Sequence, residues 1–190
     1  MSTKRQDLVD TAIELFSAHG FHATGIDRIA EEAKVSKKTM YHHFRSKEEL
    51  IIAALKQHDG LFRNGFMKAV DKQAETPYER LLGIFDVAQA WFSDNKFFGC
   101  IFINAIGEYS ERNSAIQHVC KEFKRLMRAY IEELATEAEI PDADQLAASL
   151  AILLEGSIVT AQVSGTPETA ATAKEAARVL IDNALARKHE

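Results

Sequence analysis

Ser36, Lys37, Lys38, Thr39, Tyr41, His42, His43 and Lys47 crowd hydroxyls, amines and imidazoles into a dozen residues. Between Ala33 and Lys47 there are five Lys or Arg and no Asp or Glu. Lysines and free backbone N–H groups at a helix N-terminus bind phosphate. Thr and Tyr join an apolar body to a hydroxyl, so they can meet a thymine methyl or a phosphate oxygen. The set suits a short helix that enters a DNA groove. On spacing alone a second reading stands beside it, a solvated basic face on an ordinary helix. The adjacent pair His42–His43 does not suit a metal, because neighbouring residues on a helix point about 100° apart.

Other chemistries find no foothold. The chain has no Gly-rich phosphate loop, no Gly-x-Ser-x-Gly elbow, no His-Glu-x-x-His and no close cysteine pair, so neither an enzyme nor a bound cofactor or metal is expected. Cys100 and Cys120 make no disulfide framework and match no zinc spacing, which suggests a reducing, cytoplasmic setting. Cys100 lies in an apolar stretch and reads as a core residue, with any redox role left open.

The elements that must hold these residues are helices. Leu8, Ala12, Ile13 and Phe16 recur at helical spacing and predict a helix from about Lys4 to His19. Gly20 suits its C-terminal stop, with Phe21 packing back on the end. Thr24 offers an N-cap for a second short helix, with Asp27 three residues on. Lys34-Val35-Ser36 is the turn, and Ser36 caps a third helix from Lys37 to about Phe44. There Met40 and Phe44 should face inward, leaving Lys38, Tyr41, His42 and Arg45 outside. Ser46 caps a fourth helix, with Glu48 and Glu49 in its first turn. Two short helices joined by a tight turn make a helix-turn-helix.

The stretch from Thr24-Gly25-Ile26-Asp27-Arg28-Ile29-Ala30 through Val35-Ser36-Lys37-Lys38-Thr39-Met40-Tyr41-His42-His43-Phe44 to Ser46-Lys47-Glu48-Glu49-Leu50 resembles the DNA-binding head of TetR/AcrR-family transcriptional regulators. The resemblance covers about residues 5–55. It implies contacts to double-stranded operator DNA by Thr24, Ser36, Lys37, Lys38, Thr39, Tyr41, His42, His43 and Lys47. It also implies a homodimer and a small-molecule effector, in the pattern of a repressor released from its operator by a small, largely apolar ligand. One position departs from the pattern: the family commonly carries Gly where this chain has Lys34, and a non-Gly residue at positive φ is strained by about 1 kcal/mol.

The rest reads as more helices, giving an all-α chain of roughly nine. The expected division is a three-helix DNA-binding domain at 1–50 joined to a helical ligand-binding and dimerisation domain at 51–190. A fourth helix should run toward Gly60, with a further amphipathic segment from Leu61 to Lys72. Thr76-Pro77 starts a helix to about Phe92. The segment Phe97–Tyr109 is apolar, with Gly99 and Gly107 as weak points. Long helices follow from Ser114, from Pro141-Asp142 and from about Glu168. Residues 1–60 balance nine basic against nine acidic groups, and the net charge of −5 resides entirely in 61–190. A basic patch on an acidic body suits a bounded phosphate contact. No run of 18 apolar residues free of charge appears, so no membrane partner is expected.

Aromatic residues are dense between 60 and 125. Packing accounts for most of them, but aromatic-lined pockets in helical bundles also take small apolar molecules. Phe62, Phe66, Trp91, Phe98, Phe102, Asn104, Phe123, Met127 and Glu155 are the candidate ligand residues, with Glu108 and Gln162 as further polar groups that could orient a ligand. Alanine-rich stretches at 147–161 and 170–184 permit close helix approach, and Leu150, Leu154, Ile158, Leu180 and Ile181 supply area for a two-fold interface. Internal packing alone is the other reading of those stretches.

Overall fold

The computed structural model describes residues 3–187, which form nine α-helices and no strand. They are α1 (Lys4–His19), α2 (Ile26–Glu32), α3 (Lys37–His43), α4 (Lys47–Gln73), α5 (Pro77–Phe92), α6 (Ile101–Glu108), α7 (Ala115–Glu137), α8 (Ala143–Ser164) and α9 (Thr169–Ala186). The chain divides into two compact units. One holds the described residues up to Phe62 together with Cys100–Phe123, and the other holds Arg63–Gly99 with those from Lys124 onward. Helices α4 and α7 therefore contribute residues to both.

In the first unit, α1 opens on Thr3, whose hydroxyl accepts the Gln6 N–H at 3.2 Å. It stops at Gly20, which has φ +83° and donates to the Phe16 carbonyl. Phe21 stacks on Phe16 with ring centroids 4.8 Å apart. Helices α1, α2 and α3 pack on one another, burying Leu8, Phe16, Phe21, Ile29 and Met40 completely. Each such side chain contributes roughly 2 kcal/mol, enough to hold two seven-residue helices that would not persist alone.

The turn between α2 and α3 closes with both its bonds even though Lys34 stands where glycine is common. Val35 N–H reaches Ala30 O at 2.9 Å and Lys34 N–H reaches Glu31 O at 3.0 Å. These are the two bonds of a Schellman stop, and Lys34 occupies its left-handed position at φ 54°.

Three expectations are corrected. Thr24 does not cap α2: Gly25 holds that position without a side-chain cap bond. Thr24 is 0% exposed and donates its hydroxyl to Gly20 O at 2.7 Å, with Leu15 O at 3.3 Å. A buried hydroxyl needs a partner, and the end of α1 offers one. Gly60 does not end α4, which runs unbroken to Gln73. A mid-helix Gly costs only about 1 kcal/mol, and the apolar spacing continues through Phe66 and Val70, both buried. Of the weak points in the apolar segment, Gly99 at φ +79° breaks the chain while Gly107 stays helical, so α6 is eight residues long.

In the second unit, Thr76 and Glu79 form a reciprocal capping box that starts α5 with Pro77 in its first turn. Helix α8 packs against α9 and α5. By length and composition α8 is apolar enough to cross a membrane. It nevertheless carries Asp144 and Glu155, and Leu146, Leu150, Leu154 and Ile158 are buried inside the protomer. The same holds for Ile181 on α9, so most of the side chains expected at a two-fold interface are spent internally. Leu180, expected there, does remain exposed, together with Ile152, Val159 and Val163 on α8 and Val179 on α9.

Candidate functional site

Helix α3 presents the expected set on its outer surface. Ser36 caps it, its hydroxyl accepting the Thr39 N–H at 3.1 Å. The Thr39 hydroxyl lies 2.8 Å from the same oxygen. Lys37 Nζ pairs with Asp27 at 2.8 Å, and that hydrogen bond, with the attraction of the carboxylate, raises its pKa. Lys38, Tyr41 and His42 are exposed, Tyr41 at 46%. The side chains of Lys38 and Tyr41 make no hydrogen bond or ion pair among the described residues. His42 and His43 meet edge to face at 5.4 Å, with His43 half-buried. Met40 and Phe44 fill the inner side, and Arg5 lies 5.0 Å over the Phe44 ring, a cation–π contact that ties the start of α1 to the end of α3.

Two members of the expected DNA set face elsewhere. Thr24 is enclosed, as described above, and positions the α1–α2 turn. Lys47 is half-buried and points Nζ at His22 O, 3.4 Å away. Burial lowers its pKa, opposed by the charge of Glu108.

Glu108, weighed from sequence as a ligand group, serves the head instead. From the last residue of α6, its carboxylate accepts the backbone N–H of Phe21 at 2.7 Å and of His22 at 2.5 Å, and it meets His22 Nδ1 at 2.9 Å. Burial works against the charged form, but the hydrogen bonds from His22 and Phe21 outweigh it and hold the carboxyl below its ordinary range. Beside it Tyr109 stacks on the His22 ring at 4.7 Å. The contact spans 86 positions, so no local pattern discloses it.

The ligand candidates fall into separate groups. Phe62, Phe102 and Phe123 converge in the first unit. Phe102 and Phe123 stack at 3.8 Å and 11°, and Phe62 lies 6.2 Å from Phe123. His58, which the sequence reading passed over, joins them, 5.7 Å from Phe62 and 5.9 Å from Phe102. Asn104 is half-buried in the same unit. Met127 and Glu155 line an open groove of about 970 Å³ between α7 and α8 in the second unit. There Glu155 is paired with Lys124 at 2.5 Å. Phe66 is buried, Trp91 packs edge-on against Phe97 at 5.1 Å, and Phe98 is exposed while its carbonyl accepts from Gln162. Gln162 thus holds the loop before α6, its amide lying where a side chain on Gly99 would stand.

Comparison with known proteins agrees with this arrangement. Residues 8–54 match the sequence profile described as bacterial regulatory proteins, tetR family, and residues 77–177 match that of the tetracyclin repressor-like C-terminal domain. The uncharacterized HTH-type transcriptional regulator YerO of Bacillus subtilis is 33% identical over 131 residues, covering 67% of this chain and 45% of that protein. The HTH-type transcriptional activator FasR of Mycolicibacterium smegmatis is 42% identical over 67 residues, covering 35% of this chain and 31% of that one. The chain thus spans less than half the length of these two relatives. Among solved structures, SCO4454 from Streptomyces coelicolor, a TetR-family regulator, superposes with a TM-score of 0.86 at 26% identity, covering 96% of this chain and 90% of the other.

Proposed function

The chain belongs to the tetR family of bacterial regulatory proteins, a family of regulators rather than enzymes, and on that premise we propose that it is a dimeric repressor released from operator DNA by a small, largely apolar ligand. The observation that carries the DNA reading is the outer face of α3. Lys38, Tyr41 and His42 stand exposed on a helix whose inner face is locked by Met40 and Phe44. Ser36, Lys37 and Thr39 flank them at the helix start, where the N-terminal end favours phosphate, and His43 flanks them at the other end; on this reading all four contact DNA. On this reading the DNA-binding domain is residues 1–50, and Thr24 shapes its turn.

Dimerisation is supported by the exposed apolar residues of α8 and α9, Ile152 at 72% and Val163 at 83% among them. Side chains of this kind grouped on a helix pair mark an interface. Two copies of α3 would then enter successive major grooves about 34–36 Å apart. Ligand control is supported by α6. Its Phe102 belongs to the aromatic cluster and its Glu108 grips the head. A ligand that shifts Phe102 would bias the Phe21–His22 loop through that one helix.

Selection of bound sequences from a random duplex pool, followed by footprinting, tests the reading. The expected product is a two-fold-related site with half-sites one helical turn apart. Equal retention of all sequences at moderate salt would refute it.

A further inference from the structure

His58 lies one turn before Phe62 on α4, and the two rings are nearly parallel, 16° apart. Both are half-buried, while Phe102 and Phe123 beneath them are almost fully enclosed. The cluster therefore joins two enclosed phenyl rings to one half-exposed imidazole and one half-exposed phenyl ring. The His58 ring contacts those of Phe62 and Phe102, and its nitrogens make no hydrogen bond among the described residues. Half-exposed and free of such side-chain bonds, the imidazole can bond a polar group that approaches it.

We infer that His58, Phe62, Phe102 and Phe123 form the recognition site for an uncharged, planar aromatic ligand bearing one hydroxyl or carbonyl, with His58 bonding that oxygen. The inference rests on the ligand-controlled reading above and names the ligand class for it. Flat rings match the stacked and offset arrangement already present. A purely hydrocarbon ligand would leave the imidazole unbonded. Burial lowers the His58 pKa, with Asp59 opposing, so at neutral pH the ring offers one N–H donor and one acceptor rather than a cation. An anion would have to lose its hydration against the rings of Phe62, Phe102 and Phe123, so the site favours an uncharged ligand. Phe102 ties the site to α6, six residues before Glu108.

The test compares 2-naphthol, naphthalene and 2-naphthoate binding to the full chain by calorimetry, with wild type and His58→Phe. For wild type, 2-naphthol should bind about tenfold tighter than naphthalene, the yield of one hydrogen bond, and 2-naphthoate should bind more weakly than 2-naphthol. His58→Phe should bring naphthol and naphthalene to equal affinity. In the wild type, independent of any variant's folding, 2-naphthol should shift the His58 ring nitrogen resonances. Absence of saturable 2-naphthol binding, unmoved His58 resonances, or tighter binding of the naphthoate would overturn the assignment. Operator binding is measured on the same samples. If it persists when naphthol fails, only this site falls; if it is missing, the regulator reading falls.

Discussion

The Glu108 carboxylate and the His22 backbone are joined at 2.5 Å, and the same carboxylate reaches the Phe21 N–H and His22 Nδ1. One side chain at the end of α6 thus satisfies three groups of the α1–α2 turn. Gly20 makes the approach possible: a Cβ there would stand 2.9 Å from Glu108 Oε1.

Glu108→Gln keeps the shape and removes the charge. It should cost about 1–2 kcal/mol, since hydrogen bonds to a charged acceptor are the stronger kind. Because the folded carboxyl lies below its ordinary value of 4.5, its contribution is present above that pH and is lost as pH falls through the lower folded value. Urea unfolding at pH 7 and at pH 3 should show a wild-type advantage that shrinks at the lower pH. An equal difference at both would count against the charge.

His58 has the opposite dependence. Its folded pKa lies below 6.5, so the unfolded chain takes up a proton first, and the residue destabilises the fold as pH drops below about 6.5. His58→Phe should flatten the stability loss between pH 7 and pH 5. Thermal unfolding across that range measures it, and an unchanged slope would exclude the half-buried imidazole as the cause.

On α3, Lys38→Ala should weaken operator binding about equally for all sequences and lower the magnitude of the salt slope by about 1. Tyr41→Ala should cost about 1–3 kcal/mol. Fluorescence anisotropy over a salt series separates the two. Neither variant should change stability by more than about 0.5 kcal/mol, because neither side chain is buried.

Lys34 holds the left-handed position of the α2–α3 turn. Lys34→Gly should stabilise the chain by about 0.5–1 kcal/mol, and Lys34→Val should destabilise it, as a β-branched residue resists that conformation. Denaturant midpoints should rank Gly above Lys above Val.

If the exposed face of α8 and α9 joins two protomers, Ile152→Asp with Val159→Asp should give monomers with intact helicity. Sedimentation and circular dichroism check this, and a dimer that survives both charges would place the interface elsewhere.

The head was readable because its determinants are local. Ser36 and its bond to Thr39 N–H, the inward Met40 and Phe44, and the Gly20 stop all follow from residues within a few positions of one another. Thr24 is not legible locally, because a hydroxyl can cap forward or bond backward, and only packing decides which. Gly60 does not stop its helix, because propensity is weak against a continuing apolar face. Glu108, His58 and the Lys124–Glu155 pair depend on helices distant in sequence. Acidic residues in an apolar run look alike whether they meet a ligand, a lysine or a backbone turn.

Helix α6 has a consequence for chain length. Phe102 and Glu108 lie six residues apart, one stacked on Phe123 and the other gripping His22. A single residue inserted between them would turn the carboxylate by about 100° and carry it about 1.5 Å along the axis. The count of residues along this stretch behaves as a fixed gauge, and shortening or lengthening it by one would disengage the grip even with Phe102 and Glu108 themselves unaltered.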